Sequence, residues 1–190
     1  MIFIQPSIDP VIISFGFLEI RWYSMAYIVT FLLGLNLIKF LNKTIITKIS
    51  NKQIDDFLIW SIIGVILGGR LGYVIFYQFE NFLINSLYLI YIWKGGMSFH
   101  GGLAGIILAI YFFTKKNDLN FYILADFISL IAPIGLFLGR LANFINVELN
   151  GRVTDFPIAI IYPSLDNLPR HPSQLYEAFF EGIVLFSILL

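Results

Sequence analysis

The stretch FLIWSIIGVILGGRLGYVIFYQF, residues 57–79, carries a single charge, Arg70, in a run of aliphatic, aromatic and glycine residues. An α-helix rises about 1.5 Å per residue, so roughly 20 such residues cross the roughly 30 Å hydrocarbon layer of a bilayer. This run is long enough, and its surroundings read alike. Of the 190 residues, 58% are hydrophobic and 13% charged, with a mean hydropathy of +0.85. Soluble domains hold about 25% charged residues. Lipid, not water, is the solvent this chain is composed for.

Three further runs have spanning length, Ile20–Leu41, Met97–Thr114 and Phe121–Ile145, and a fifth starts near Leu175. The fold class expected is an all-α integral membrane protein, a polytopic bundle of about five transmembrane helices forming one domain over 1–190. The fifth run reaches Leu190 without a polar flank to anchor it, so the expectation is a C-terminally truncated chain. Lys39, Lys43, Lys48 and Lys52 mark the first connection as cytoplasmic, and Lys115 and Lys116 mark the third. The N-terminus and the loops 80–96 and 146–174 then face outward, although Lys94, Arg152 and Arg170 dilute the rule. The Tyr- and Trp-bearing stretch 85–93 is too short to span and suits the outer interface.

Zero net charge and the lack of a basic stripe exclude nucleic acid as a partner. With no cysteine there is no disulfide and no internal thiol nucleophile. Two histidines without HExxH spacing give no metal site, no cofactor is implied, and GxSxG is absent. The start of the chain has neither a basic region nor a small-residue cleavage site, so no removable leader is expected.

On this map the polar residues gather at one depth, near the outer leaflet. Tyr23 opens the first span, Arg70 lies in the outer half of the second, and His100 sits one turn into the third. Arg140 and Asn143 close the fourth, Glu148, Gly151 and Arg152 follow, and RHPSQLYE (170–177) enters the fifth. Each has a plainer explanation. An arginine near a span end reaches headgroups by snorkelling, and an interfacial histidine can simply finish a helix. HPSQLYE reads equally as a helix start with Pro172 in its first turn. Asp126 is expected to be a buried hydrogen-bonding partner. Gly64, Gly68 and Gly72, Gly101 with Gly105, and Gly135 with Gly139 form small-xxx-small faces that let helices approach closely. Gly101 is also expected to leave space beside His100. Snorkelling does not account for the Asn and Glu beside Arg140. A cationic fork with these companions suits a phospholipid headgroup. A small transporter or channel is the alternative, but transport sites sit at the midplane between repeated halves, and no repeat is visible.

RWYSMAY (21–27), GGRLGYVIFY (68–77), GGMSFHGGLAG (95–105), GRLANFINVELNGR (139–152) and RHPSQLYE together resemble the successive signatures of bacterial prolipoprotein diacylglyceryl transferases. The resemblance implies a multi-pass enzyme of the inner membrane with its active site on the periplasmic side. Such an enzyme moves diacylglyceryl from phosphatidylglycerol to the lipobox cysteine behind a prolipoprotein signal peptide, releasing glycerol phosphate. It implies catalytic roles for His100, Arg140 and Tyr23, and lipid binding by Arg140, Asn143, Glu148, Arg70 and Gly151. His171, Gln174 and Tyr176 are further candidates. A thiol has a pKa of about 8.5 and imidazole about 6.5, so neutral His100 suits a base, with Tyr23 orienting it. The family has about seven spans, and one of the later two carries another essential arginine. It commonly has glycine where this chain has Ala142 and Val147, and an aromatic residue at Asn150.

Overall fold

The computed structural model describes residues 3–16, 18–44 and 49–190; Lys48, one of the cations used for orientation, lies outside them. The described residues form two compact units, 1–37 with 128–190 and 38–127.

The second unit is built on α2 (Asn51–Tyr77) and α4 (Phe99–Asn117). Helix α2 starts six residues before the apolar run because Ser50 and Gln53 close a reciprocal capping box. The Ser50 hydroxyl accepts from Gln53 N at 3.2 Å, and Ser50 N donates to the Gln53 side chain at 3.0 Å. At 27 residues it is about 40 Å long, more than the hydrocarbon needs, so its polar first turns can sit among headgroups. Helix α4 is capped by Ser98, whose hydroxyl accepts from Gly101 N at 3.2 Å.

The two helices meet through bare backbone. A Cβ placed on Gly105 would stand 2.0 Å from the Gly64 carbonyl oxygen, and one on Gly101 2.3 Å from that of Gly68. The expected glycine ladder is thus the α2–α4 seam. Gly101 has no open space for a ligand at this face; the neighbouring helix fills it. Between α2 and α4 run α3 (Phe79–Ile84) and two short 3-10 turns, Ser86–Ile90 and Ile92–Lys94, which occupy the stretch expected at the interface. Asp126, expected to be buried, is exposed, because it lies off the face of its helix that buries Leu124 and Phe127.

In the first unit, strands β2 (Val11–Phe15) and β3 (Leu18–Arg21) form an antiparallel hairpin that leads into α1 (Trp22–Leu41). Sequence reading passed over this hairpin because its residues look like the approach to a span. Strand β4 (Ile160–Ile161) pairs parallel with β1 (Phe3–Ile4) and antiparallel with β5 (Pro169–Arg170). Helix α5 covers Phe121–Ile145, the range expected, with buried Pro133 inside it. Thr30 of α1 lies against Gly135, and Ile131 of α5 against Gly34. A Cβ placed on Gly139, expected to share that face with Gly135, would meet nothing within 4 Å. The final helical run is α6 (Ser173–Glu177), a π-helical segment Ala178–Val184, and α7 (Leu185–Leu189).

Helices α1, α2 and α5 are long and apolar enough to cross a membrane. Many of their large side chains are exposed, Phe40, Leu67 and Tyr122 among them. A hydrocarbon solvent accepts such a surface, whereas contiguous apolar patches of this extent are rare on soluble monomers.

Candidate active site

Helix α1 places Tyr23 in its first turn, and α5 places Asn143 in its last. The loop after α5 folds back at once, with Glu148 N donating to Asn143 O at 2.9 Å. These three segments close one hydrogen-bonded cluster. The Tyr23 hydroxyl donates to Glu148 Oε2 at 2.7 Å, and the Asn143 amide donates to the same oxygen at 3.3 Å and to the Tyr23 hydroxyl. Tyr23, expected to orient His100, commits its proton to Glu148.

The tight return needs left-handed backbone. Val147 has φ +58° and Leu149 φ +54°. For a β-branched residue such a φ is strained. Asn150 ties the turn. Its amide donates to Val147 O at 2.9 Å, and its Oδ1 accepts from Gln174 Nε2 at 2.8 Å.

Gln174 is the keystone of this loop. It is 0% exposed, donates to Glu148 O at 2.6 Å and accepts from the Tyr162 hydroxyl at 3.2 Å. Burial pushes the Tyr162 hydroxyl up to about 12. Ser173 donates to Leu149 O at 2.9 Å. Gly151 N donates to His171 O at 3.1 Å, and a Cβ on Gly151 would come within 2.5 Å of that oxygen. The His171 ring lies 3.2 Å from the Tyr176 hydroxyl and packs on Phe156. His171 and Tyr176 therefore brace the same loop. Arg170 pairs with Asp166, whose carboxyl the guanidinium holds below its usual range.

Arg140 stands one turn before Asn143 on α5, and two carboxylates from the last helical run meet its guanidinium. Nε and Nη2 reach Glu181 Oε2 at 3.1 and 3.0 Å, while Nη1 lies 2.9 Å from Glu177 Oε2. Sequence reading missed both glutamates as site residues. The signal was present: two carboxylates four residues apart inside an apolar helix are costly unless paired.

The second unit holds Arg70 and His100. Arg70 is 2% exposed, and its fork serves backbone: Nε donates to Leu89 O at 3.1 Å, Nη2 to Tyr88 O at 2.7 Å, and Nη1 to Gly95 O at 2.6 Å and Gly96 O at 3.3 Å. It also lies over the Tyr88 ring, 5.0 Å from the centroid. The guanidinium that was a lipid-binding candidate is occupied in pinning the 85–96 segment to α2. His100 is exposed at the start of α4, its ring edge-on to Phe99 at 5.7 Å. Among the described residues no three His, Asp or Glu side chains gather to hold a metal ion.

A guanidinium fork paired with two carboxylates stands one turn from a carboxylate–phenol–amide cluster, and comparison with known sequences decides the family. The family profile described as prolipoprotein diacylglyceryl transferase matches residues 10–190. The chain belongs to this family. The phosphatidylglycerol–prolipoprotein diacylglyceryl transferase of Vibrio campbellii is 50% identical over 184 residues, covering 97% of this chain and 67% of the relative. The protein of the same name from Pseudoalteromonas atlantica is 53% identical over 98% of this chain and 66% of its own length. That of Rickettsia felis is 48% identical over 97% and 71%. The chain thus spans about two thirds of the length of these diacylglyceryl transferases.

Proposed function

We infer that this chain is a transferase that moves the diacylglyceryl group of phosphatidylglycerol onto the thiol of a prolipoprotein lipobox cysteine, the first step of bacterial lipoprotein maturation. Family membership supports the reaction class. The observation that carries the assignment of roles is the meeting of Tyr23, Asn143 and Glu148 in one cluster, a helical turn from the Arg140 fork.

In the reaction the thiolate sulfur attacks the glycerol carbon that bears the phosphate ester. A carbon–sulfur bond forms, the carbon–oxygen bond breaks with its electron pair going to the phosphate oxygen, and glycerol phosphate departs. His100, exposed at its helix start, takes the thiol proton. Arg140 offers paired N–H donors to the phosphate, whose charge grows as the bond breaks. Glu148 and the amide oxygen of Asn143, fixed by Tyr23 and by Gln174 behind the loop, offer acceptors to the hydroxyls of the glycerol headgroup. Gly151, without a side chain, keeps the loop close to His171.

The chain would cross the bacterial inner membrane about five times with its N-terminus and this site on the periplasmic side. Lys39, Lys43, Lys52, Lys115 and Lys116 at the opposite connections support that orientation.

Membranes bearing the protein, labelled phosphatidylglycerol and a lipobox peptide test the proposal. Arg140→Ala is expected to lower label transfer at least about a hundredfold while the protein still inserts. A peptide with serine in place of cysteine is expected to take no label. Undiminished transfer in the first case removes Arg140 from the reaction, and labelling in the second removes thiolate attack.

A further inference from the structure

The carbonyls of the turn after α5 are held from one short segment, 170–174. Gln174 Nε2 donates to Glu148 O at 2.6 Å, and the Ser173 hydroxyl donates to Leu149 O at 2.9 Å. Arg170 Nη1 reaches Gly151 O at 3.1 Å, and His171 N reaches Arg152 O at 3.0 Å. Gln174 Nε2 also meets Asn150 Oδ1 at 2.8 Å, while its Oε1 accepts from the Tyr162 hydroxyl. Gln174 is fully buried, so it touches no lipid, and both ends of its amide are engaged by neighbouring protein. The Tyr162 ring packs on Phe144, with centroids 6.1 Å apart, and Gln5 Nε2 donates to Phe144 O at 3.0 Å. Phe144 follows Asn143 in the chain. The Tyr162–Gln174 pair therefore braces Glu148 through its carbonyl and Asn143 through its neighbour.

We propose that Gln174 is the positioning residue for headgroup selectivity, making the site favour a phospholipid whose headgroup carries hydroxyls over one with the same phosphodiester and none. This rests on the diacylglyceryl-transfer reading, in which Glu148 and Asn143 accept from the glycerol hydroxyls. Glu148 stands between two left-handed residues, Val147 and Leu149. Strained backbone of this kind persists only where its surroundings over-determine it. The hydrogen bonds from Gln174 and Ser173 to the carbonyls of Glu148 and Leu149 supply that constraint. Hydrogen bonding to a hydroxyl depends steeply on distance and angle, whereas a charged phosphate is attracted over a longer range. Loosening the turn then weakens recognition of the hydroxyls and leaves the attraction between Arg140 and the phosphate in place. A residue that only stabilised the fold would lower the binding of every lipid alike.

The test compares two lipids on the purified chain in detergent: phosphatidylglycerol, and phosphatidylpropanol, which has the same charge and phosphodiester but no headgroup hydroxyl. Each is used to displace labelled phosphatidylglycerol, and the ratio of the two affinities does not depend on how much of a sample is folded. The unsubstituted chain is expected to favour phosphatidylglycerol at least about tenfold. In Gln174→Leu the ratio is expected to fall below about threefold, with the affinity for phosphatidylpropanol changed by less than about twofold. Gln174→Asn keeps an amide in the buried site but withdraws it by about 1.5 Å, one carbon–carbon bond. It is expected to narrow the ratio likewise, and it decides the matter should Gln174→Leu fail to fold. An unchanged ratio, or equal weakening for both lipids, would overturn the positioning role and leave Gln174 a residue of the fold alone. Lack of preference in the unsubstituted chain overturns the selectivity while lipid binding stands. A chain that binds neither lipid overturns the transfer reading, and the selectivity falls with it.

Discussion

The Tyr23 hydroxyl donates to Glu148 Oε2 at 2.7 Å, joining residues 125 positions apart. One hydrogen bond thus fixes the start of α1 to the turn that follows α5. Tyr23→Phe removes that donor and leaves the carboxylate with the Asn143 amide. The expected stability loss is about 1 to 2 kcal/mol, and the expected drop in transfer is larger, on the order of a hundredfold. Thermal unfolding in detergent and the labelled-lipid assay measure the two separately. A variant that loses stability but keeps its transfer rate would make Tyr23 a scaffold residue.

Arg70 is predicted to behave as scaffold. Its four hydrogen bonds to the carbonyls of Tyr88, Leu89, Gly95 and Gly96 need a planar fork, which lysine lacks. Arg70→Lys is expected to release the segment 85–96, raising its amide hydrogen exchange at least about tenfold, while exchange in the middle of α4 stays unchanged. Unaltered exchange in 85–96 would mean that other contacts hold it.

Val147 sits at φ +58°, where its branched Cβ crowds the backbone. Val147→Gly removes that strain and adds chain entropy to the unfolded state. The first effect outweighs the second, giving a net gain of about 1 kcal/mol. A raised unfolding midpoint with unchanged lipid affinity is the expected result, and a lowered midpoint would show that the Val147 side chain packs better than its φ implies.

Burial holds the Tyr162 hydroxyl at about 12, against an ordinary value near 10. The folded state keeps its proton where the unfolded chain loses it. The contribution is therefore complete below about pH 10 and is lost as pH rises towards 12. Melting temperature is expected to fall across that window and to fall less steeply in Tyr162→Phe. Parallel profiles for the two proteins would assign the alkaline loss to other groups.

Much of the helical layout was legible because apolar run length is a strong signal in lipid. Helix α5 begins and ends where its hydropathy does. Helix α2 does not, because the Ser50–Gln53 capping box draws its polar first turns into the helix. The site was legible as a set of polar residues that apolar surroundings make conspicuous. What each one does was not. Arg70 and Arg140 look equivalent in sequence, yet one serves carbonyls within its own unit and the other faces two carboxylates. Glu177 closes a motif that reads as a helix start and Glu181 stands in a run read for its hydrophobicity, so neither was set beside Arg140. Left-handed φ at Val147 and Leu149 carries no residue-level signature in this chain, since glycine, the usual marker, is absent from both.

The glycine seam between α2 and α4 has a genetic consequence. Any replacement at Gly105 adds at least one carbon atom, and that atom would stand 2.0 Å from the Gly64 carbonyl oxygen. Peptide oxygen cannot swing aside as a side-chain tip does, so the pair has no nearby mutational detour. Lipid-facing positions such as Leu67 can exchange one bulky residue for another, whereas this contact admits only the amino acid it already has.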